Sequence, residues 1–238
     1  MDNYQRLFNE LRPFREKEMQ LPSSDELKAT VASEWMKYLL NGLNAYEGKS
    51  YEVAISFLNI AIEKAPENQH LFKVRANIKE DAGDSIGAIS DYKNALYISG
   101  NDWYATYNQI AVNYLHLNEY SNSLTAFDIA IELKSKLQLE GIDENELPNI
   151  VDGVVERVNY ERMFANRAIV KLSLQDIEGC SEDCKLAIEI NPEYSHSYYV
   201  TGLLFLAVGQ NENAYEALKE AESKGHSLAK NVISMYFK

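Results

Sequence analysis

The chain has 238 residues, with 23 Lys or Arg against 36 Asp or Glu, which gives a net charge of −13. This acidity argues against nucleic-acid binding, which depends on clustered basic side chains that neutralise phosphates. Hydrophobic residues make up 46% of the chain, as is typical of a folded protein. The sequence shows no hydrophobic leader and no apolar stretch of membrane-spanning length. We therefore predict a cytoplasmic protein with no nucleic-acid or membrane partner.

Residues 1–34 are predicted to form an N-terminal helical arm. Its first part is amphipathic, with four apolar residues on one helical face: Leu7, Phe8, Leu11 and Phe14. Ser23 and Glu26 have the spacing of a capping box. This spacing predicts that a second helix begins near Asp25 and continues into Trp35.

A repeat follows the arm. Five alanines are separated by 34, 35, 57 and 34 residues: Ala61, Ala95, Ala130, Ala187 and Ala221. The residue nineteen positions before each is always Gly or Ala, and the residue four positions earlier still is always aromatic. Small side chains allow two helices to approach closely where they cross. The pattern therefore predicts antiparallel helix pairs, with repeats 1–3 over 35–137 and repeats 4–5 over 161–226.

The clearest copy of the repeat reads FANRAIVKLSLQDIEGCSEDCKLAIEINP, from Phe164 to Pro192. This pattern resembles the tetratricopeptide repeat (TPR) family, whose 34-residue unit carries aromatic, small and terminal proline residues in this order. The resemblance covers about five repeats. It implies an all-α fold in which antiparallel helix pairs stack into a right-handed superhelical solenoid.

The spacing between Ala130 and Ala187 is 23 residues longer than one period. Residues 138–160 are predicted to be an acidic insertion that extends the flanking helices. Six acidic residues stand in it against Arg157 alone. Two interpretations stay open for this segment: a solvated acidic loop, or a docking segment for a basic partner. At the other end, residues 227–238 are predicted to form a capping helix, because the bulky Tyr236 occupies a small-residue position.

Chemistry-bearing motifs are absent from the sequence. There is no nucleotide-binding, zinc-protease, hydrolase or C-x-x-C motif, and the four histidines fall in different repeats. Cys180 and Cys184 are four residues apart on one predicted helix, but both occupy packing columns of the repeat. We interpret them as buried packing residues rather than metal ligands or a redox pair. We therefore predict a non-enzymatic protein with no cofactor and no metal.

The first helix of each pair is predicted to line the concave face of the solenoid, where such proteins bind their partners. We predict a non-catalytic interaction module or scaffold that binds a peptide or an amphipathic helix of another protein there. The residues predicted to form this groove are Leu39, Leu43, Lys73, Asn77, Gln109, Arg162, Asn166, Tyr199 and Leu203.

Two alternatives remain open. TPR co-chaperones hold a partner's C-terminal carboxylates in a clamp, and five groove residues stand at matching positions: Lys73, Asn77, Gln109, Arg162 and Asn166. Asn166 replaces a cation of that clamp, which weakens the resemblance. The other alternative is a homo-oligomer formed through the apolar groove ends or the N-terminal arm, because contiguous apolar patches mark interaction sites.

Overall fold

A computed structural model describes residues 26–100, 103–140 and 158–237, with side chains described from residue 34 onward. The described residues form eleven helices and no strand, which confirms the all-α prediction. The helices are α1 (Glu26–Glu47), α2 (Tyr51–Lys64), α3 (Gln69–Asp81), α4 (Ser85–Ser99), α5 (Tyr104–His116), α6 (Tyr120–Leu139), α7 (Tyr160–Ser173), α8 (Ile177–Ile190), α9 (Ser195–Ala207), α10 (Asn211–Ser223) and α11 (Ala229–Tyr236).

The chain divides into two compact units. The first unit comprises Met1–Asn113 and Leu133–Glu156, and the second comprises Tyr114–Glu132 and Arg157–Lys238. Within the first unit, α1 packs against α2, α2 against α3, and α3 against α4. Within the second unit, α7 packs against α8, α9 packs against α7, α8 and α10, and α10 packs against α11. The predicted helix pairs are therefore present in both units.

The small-residue columns lie at the contacts between helices. Ala61, Ala95, Ala130, Ala187 and Ala221 are all fully buried. The paired column on the first helices is equally buried: Gly42, Ala76, Ala111, Ala168 and Gly202. A β-carbon built at Gly202 would lie 2.6 Å from Leu218 Cγ, which is closer than carbon atoms approach without displacement. The prediction that these columns mark helix crossings is confirmed.

Each helix pair turns through a residue with positive φ at the same repeat position. These residues are Lys49, Gly83, Asn118, Gln175 and Gly209, with φ values of 57°, 82°, 58°, 64° and 75°. Positive φ is easily reached by glycine and is uncommon for lysine or glutamine. Glycine occupies only two of the five turns, so helix packing holds the same turn whichever residue is present.

The structure describes part of the predicted terminal and inserted segments. Helix α1 begins at Glu26, close to the predicted start, whereas residues 1–25 and 141–157 lie outside the described residues. Helix α6 has 20 residues, compared with 13 to 15 in the other second helices. Helix α7 begins at Tyr160, after the non-helical residues 158–159, and carries no such extension.

Candidate functional site

Leu39 and Leu43 do not form an exposed end of a groove. Both are 5% exposed, and they belong to the core of the first unit together with Leu58, Leu71 and Ile78. The repeat register correctly placed them on the first helix of repeat 1. It did not show that α2 and α3 cover them. The expectation of an apolar binding surface at these two leucines is therefore corrected.

Lys73 and Asn77 lie half-buried on α3 of the first unit. The Tyr92 hydroxyl on α4 donates to Asn77 Oδ1. The same hydroxyl lies 3.2 Å from Glu80 Oε2, which accepts from Asn113 Nδ2 at 2.9 Å. Because this network fixes the oxygen of Asn77, the side chain is part of the packing between α3 and α4 as well as of the α3 surface.

Gln109 lies half-buried on α5, also in the first unit. Its Oε1 accepts from Asn108 Nδ2 at 3.2 Å, and its backbone carbonyl accepts from Asn113 Nδ2 at 2.9 Å. Asn108 and Asn113 are buried, and the Oδ1 atom of each has no hydrogen-bond partner among the described residues. Gln109 thus accepts hydrogen bonds from two buried amide side chains, Asn108 and Asn113, which were not predicted from the sequence.

The four remaining predicted residues belong to the second unit. Arg162 is exposed on α7 and Asn166 is half-buried one turn later, while Tyr199 and Leu203 are half-buried one turn apart on α9. Ile169 continues the α7 stripe and packs, as Tyr199 does, against the core that contains Val200 and Leu204. Helices α7 and α9 are in contact. We call Arg162, Asn166, Ile169, Tyr199 and Leu203 the α7–α9 face.

Arg162 differs from the two other described arginines. Arg75 and Arg167 both form bidentate ion pairs with aspartates, whereas Arg162 forms no ion pair with a carboxylate among the described residues. Its partner is the Tyr194 hydroxyl. Burial raises the pKa of Tyr194, and the charge and hydrogen bond of Arg162 act in the opposite direction. Arg162 therefore presents an exposed guanidinium that is suited to an anionic group.

Two histidines meet at one end of the α7–α9 face. His196 Nδ1 on α9 lies 3.1 Å from His226 Nε2 in the α10–α11 connection. The Tyr199 ring stacks on the His226 ring, with centroids 4.1 Å apart and an interplanar angle of 16°. Burial, with smaller contributions from His226 and Arg162, lowers the pKa of His196 to about 4. The sequence analysis placed these histidines in separate repeats and missed their contact, because α11 folds back without a sequence motif of its own.

The sequence analysis also missed an ion-pair network in α3–α4. Arg75 donates through Nε and Nη2 to the two carboxylate oxygens of Asp91, at 2.8 and 2.6 Å. Lys79 Nζ lies 2.8 Å from Asp91 Oδ2, and Arg75 Nη1 donates to Asn59 Oδ1 at 2.6 Å. Asp91 is 1% exposed, so two cations neutralise one buried carboxylate.

The same network recurs in α7–α8. Arg167 donates to both oxygens of Asp183 at 2.8 and 2.7 Å, and Lys171 Nζ lies 3.0 Å from Asp183 Oδ2. Arg167 Nη1 donates to Asp128 Oδ1 at 2.7 Å. Asp183 is also 1% exposed. Both copies share the pattern F-x2-R-x3-K-x4-D-x2-G-x3-D, so a comparison of charged columns between repeats would have found it.

The cysteines are buried and reduced, which confirms their interpretation as packing residues. Cys180 and Cys184 lie in the core of the second unit with Ala168 and Val200. The hydrogen bond with Cys184, together with burial, raises the pKa of the Cys180 thiol, so it stays protonated at neutral pH. The described residues contain no group of three or more His, Cys, Asp or Glu able to hold a metal ion. None of the described helices has both the length and the apolar character that a membrane span needs.

No family model and no curated protein matches this sequence. Its structure is nevertheless similar to those of solved proteins. The crystal structure of MamA shares 17% identity with a TM-score of 0.61, over 86% of this chain and 96% of that one. YrrB, described as a TPR protein with an unusual peptide-binding site, shares 15% identity with a TM-score of 0.59, over 88% and 95%.

A third similar structure is PilW, described as a widely conserved type IV pilus biogenesis factor. It shares 15% identity with a TM-score of 0.61, over 85% of this chain and 93% of that one. At such low identity these likenesses establish the fold. The chain has the TPR fold, as the repeat pattern predicted.

Proposed function

We propose that this TPR-fold chain is a non-catalytic protein-interaction scaffold that binds a peptide or helix of another protein on the α7–α9 face. The TPR fold supports a role in protein–protein interaction in general. The α7–α9 face adds a specific surface to that role. Arg162 is the observation that carries the proposal, because an exposed arginine that has no carboxylate partner among the described residues lies beside half-buried apolar side chains.

The face suits a ligand that combines an acidic group with apolar side chains. Ile169, Tyr199 and Leu203 are only half-buried, so a ligand can cover apolar surface that now contacts water. Asn166 lies one turn from Arg162 and offers both a donor and an acceptor to a peptide backbone. The carboxylate clamp predicted from the sequence stays a prediction.

The experiment selects ligands from a random peptide library displayed on phage, using the immobilised full chain. The selected peptide is synthesised with a free and with an amidated C-terminus and titrated calorimetrically. We expect Tyr199→Glu to weaken binding at least about tenfold, equivalent to about 1.4 kcal/mol. Arg162→Ala should weaken binding of the free acid more than that of the amide, if the C-terminal carboxylate is the anchoring group.

The matched control is Tyr97→Glu, which introduces the same charge at a tyrosine that is 88% exposed. Tyr97 lies on α4, the second helix of its pair. It should leave the affinity unchanged. Failure of the library to yield any ligand, or equal loss of affinity in Tyr97→Glu and Tyr199→Glu, would refute the α7–α9 face as the binding site.

Self-association is a second candidate, favoured by the outer side of α11. Leu228, the N-cap residue of α11, is 52% exposed, and Met235 and Tyr236 on the helix are 70% and 62% exposed. Apolar side chains this exposed within one short segment mark an interaction surface. Light scattering should then give a dimer mass for the wild type and a monomer mass for Met235→Glu. A monomer mass for the wild type at all concentrations would eliminate this candidate.

A further inference from the structure

We infer that His196 and His226 form an acid-sensitive latch that holds the α10–α11 connection, and through it helix α11, against α9. The latch is a property of the folded chain and needs no ligand. Its consequence for binding rests on the proposed function, because Tyr199 belongs both to the latch and to the α7–α9 face.

The two imidazoles face each other through their nitrogen atoms. His196 Nδ1 and His226 Nε2 are 3.1 Å apart, the ring centroids are 5.3 Å apart, and the rings are inclined by only 23°. The distance between the two ring centroids is close to the sum of three lengths: the N···N distance and, for each ring, the distance from that nitrogen to the ring centre. The rings therefore lie nearly edge to edge, with one proton between the two nitrogens.

The second nitrogen of His226 determines which ring donates that proton. His226 Nδ1 is buried and has no hydrogen-bond partner in the part of the chain that the structure describes. A proton on Nδ1 would create a buried N–H without an acceptor, and an unpaired donor is costlier than an unpaired acceptor. His226 is therefore the donor through Nε2, and His196 Nδ1 is the acceptor.

An additional proton, whether on His196 Nδ1 or on His226 Nδ1, disrupts this contact between the two imidazoles. On His196 Nδ1, it would place two N–H groups against each other. On His226 Nδ1, it would bury a charged N–H group without a partner. The latch is consequently closed only while both imidazoles are neutral.

The surrounding groups do not compensate an added proton. From α7, Arg162 faces His196 with its own positive charge. On α9 and at its N-cap, the phenol rings of Tyr199 and Tyr194 lie beside His196. From α8, the core that packs on α9 presents the thiols Cys180 and Cys184. Neither imidazole forms an ion pair with a carboxylate among the described residues. The carboxylates of this region are engaged elsewhere: Glu193 and Glu220 with Lys224, Glu222 with Lys219, and Glu161 with Asn159 and Asn191.

His226 occupies the corner between two helices. Its backbone N–H donates to the Ala221 carbonyl at 2.8 Å, and its carbonyl accepts from Ala229 N–H at 3.3 Å. The preceding Gly225 has a φ of 86°, which reverses the chain at the end of α10. The corner contacts α9 through the His226 ring, which meets His196 and Tyr199, and through Lys224, whose Nζ lies 5.3 Å from the centre of the Tyr198 ring. Loss of the His196 contact loosens the start of α11 and the stacking on Tyr199, while the Lys224 contact remains.

The sign of the pH dependence follows from the lowered pKa of His196. The closed form is favoured above the free imidazole value of about 6.5 and weakens as the pH falls from there toward about 4. With these two values, the ratio of open to closed latch rises about twentyfold between pH 7 and pH 5.

The experiment measures amide hydrogen exchange of the full chain by NMR at pH 7, 6 and 5, expressed as protection factors so that intrinsic exchange chemistry cancels. Protection of the α11 amides should fall about twentyfold between pH 7 and pH 5. The amides of α2, which contains no histidine, should keep their protection. Unchanged protection in α11 over this pH range would overturn the latch.

Two variants separate protonation from packing. His226→Phe retains a ring beside Tyr199 but has no nitrogen to protonate, so its α11 protection should be independent of pH between 7 and 5. His196→Phe serves the same purpose if the first variant folds poorly. His116→Gln removes an exposed histidine at the end of α5 and should behave as the wild type. An identical pH dependence in both phenylalanine variants would assign the effect to another group and refute the latch, without bearing on peptide binding at neutral pH.

Discussion

The helix pairs α3–α4 and α7–α8 each contain a copy of the same ion-pair network. They differ in the side chains that lie one helical turn away from it. In both, an arginine and a lysine on the first helix hold a buried aspartate on the second helix. In both, the arginine also reaches the preceding second helix, at Asn59 or Asp128. The network connects three helices in each case.

The two pairs diverge one helical turn away from this network. Tyr92 of α4 hydrogen-bonds Asn77 and Glu80, whereas the equivalent residue of α8 is Cys184, which packs in an apolar core. The positions equivalent to Asn77 and Glu80 hold Ile169 and Leu172. The repeat thus keeps its ion-pair network constant, while the side chains beside the network change from polar to apolar.

The largest expected effect tests whether the two networks are equivalent. Asp91→Asn and Asp183→Asn each remove a buried charge that an arginine and a lysine share, although Arg167 keeps its exposed partner Asp128. We expect each to lower the free energy of unfolding by about 3 kcal/mol, measured by urea denaturation. Asp128→Asn changes the exposed partner of Arg167 and should cost less than about 1 kcal/mol. A cost below about 1 kcal/mol at either buried aspartate would show that its network contributes little.

An intermediate effect is expected at the two glycines inside the shared pattern. Asp84 and Asp176 cap their helices by accepting from Gly87 N–H and Gly179 N–H at 2.9 Å. A β-carbon on either glycine would collide with the capping carboxylate. Gly87→Ala and Gly179→Ala should each cost about 1–2 kcal/mol in thermal or urea unfolding, because the cap must move.

The control for these glycines is Gly48→Ala. A β-carbon there meets nothing closer than 3.5 Å, so the change should alter stability by less than about 0.5 kcal/mol. Equal costs at all three glycines would show that the collision with the capping carboxylates is not the cause of the effect.

The smallest effect sharpens the contrast between the two pairs. Tyr92→Phe removes the hydroxyl that binds Asn77 and Glu80 and should cost about 1 kcal/mol in urea denaturation. Tyr97→Phe, at an exposed position on the same helix, should cost nothing measurable. If the two variants unfold at the same urea concentration, the polar network beside α3 does not stabilise the first unit.

The repeat architecture could be predicted from sequence because it rests on residue size. Buried columns such as Ala95 and Ala187 must be small wherever helices cross, so the pattern survives in every copy. The surface of the first helices was harder to predict. The same register placed Leu43 and Leu203 in a groove, but α2 and α3 bury Leu43, whereas Leu203 stays half-buried. Burial depends on neighbouring side chains that periodicity alone does not specify.

The histidine pair was beyond sequence reasoning for a related reason. His196 lies on α9 and His226 lies thirty residues later, beyond the end of α10. Their contact depends on how the α10–α11 corner closes, which the backbone of Gly225 and the stacking on Tyr199 determine together. The charged network, by contrast, recurs at fixed spacing and was available in the sequence.

The five turns inside the helix pairs have one conformation although their residues differ, and all have the same length. The 23 additional residues of the chain lie partly in the longer C-terminal end of α6 and partly between α6 and α7. Variation in length is thus confined to a joint between pairs and the helix end that leads into it, while the turn inside each pair keeps its length. Fluorescent labels or fused domains should therefore be inserted at such a joint, where added residues do not disturb the packing of the two helices within a pair.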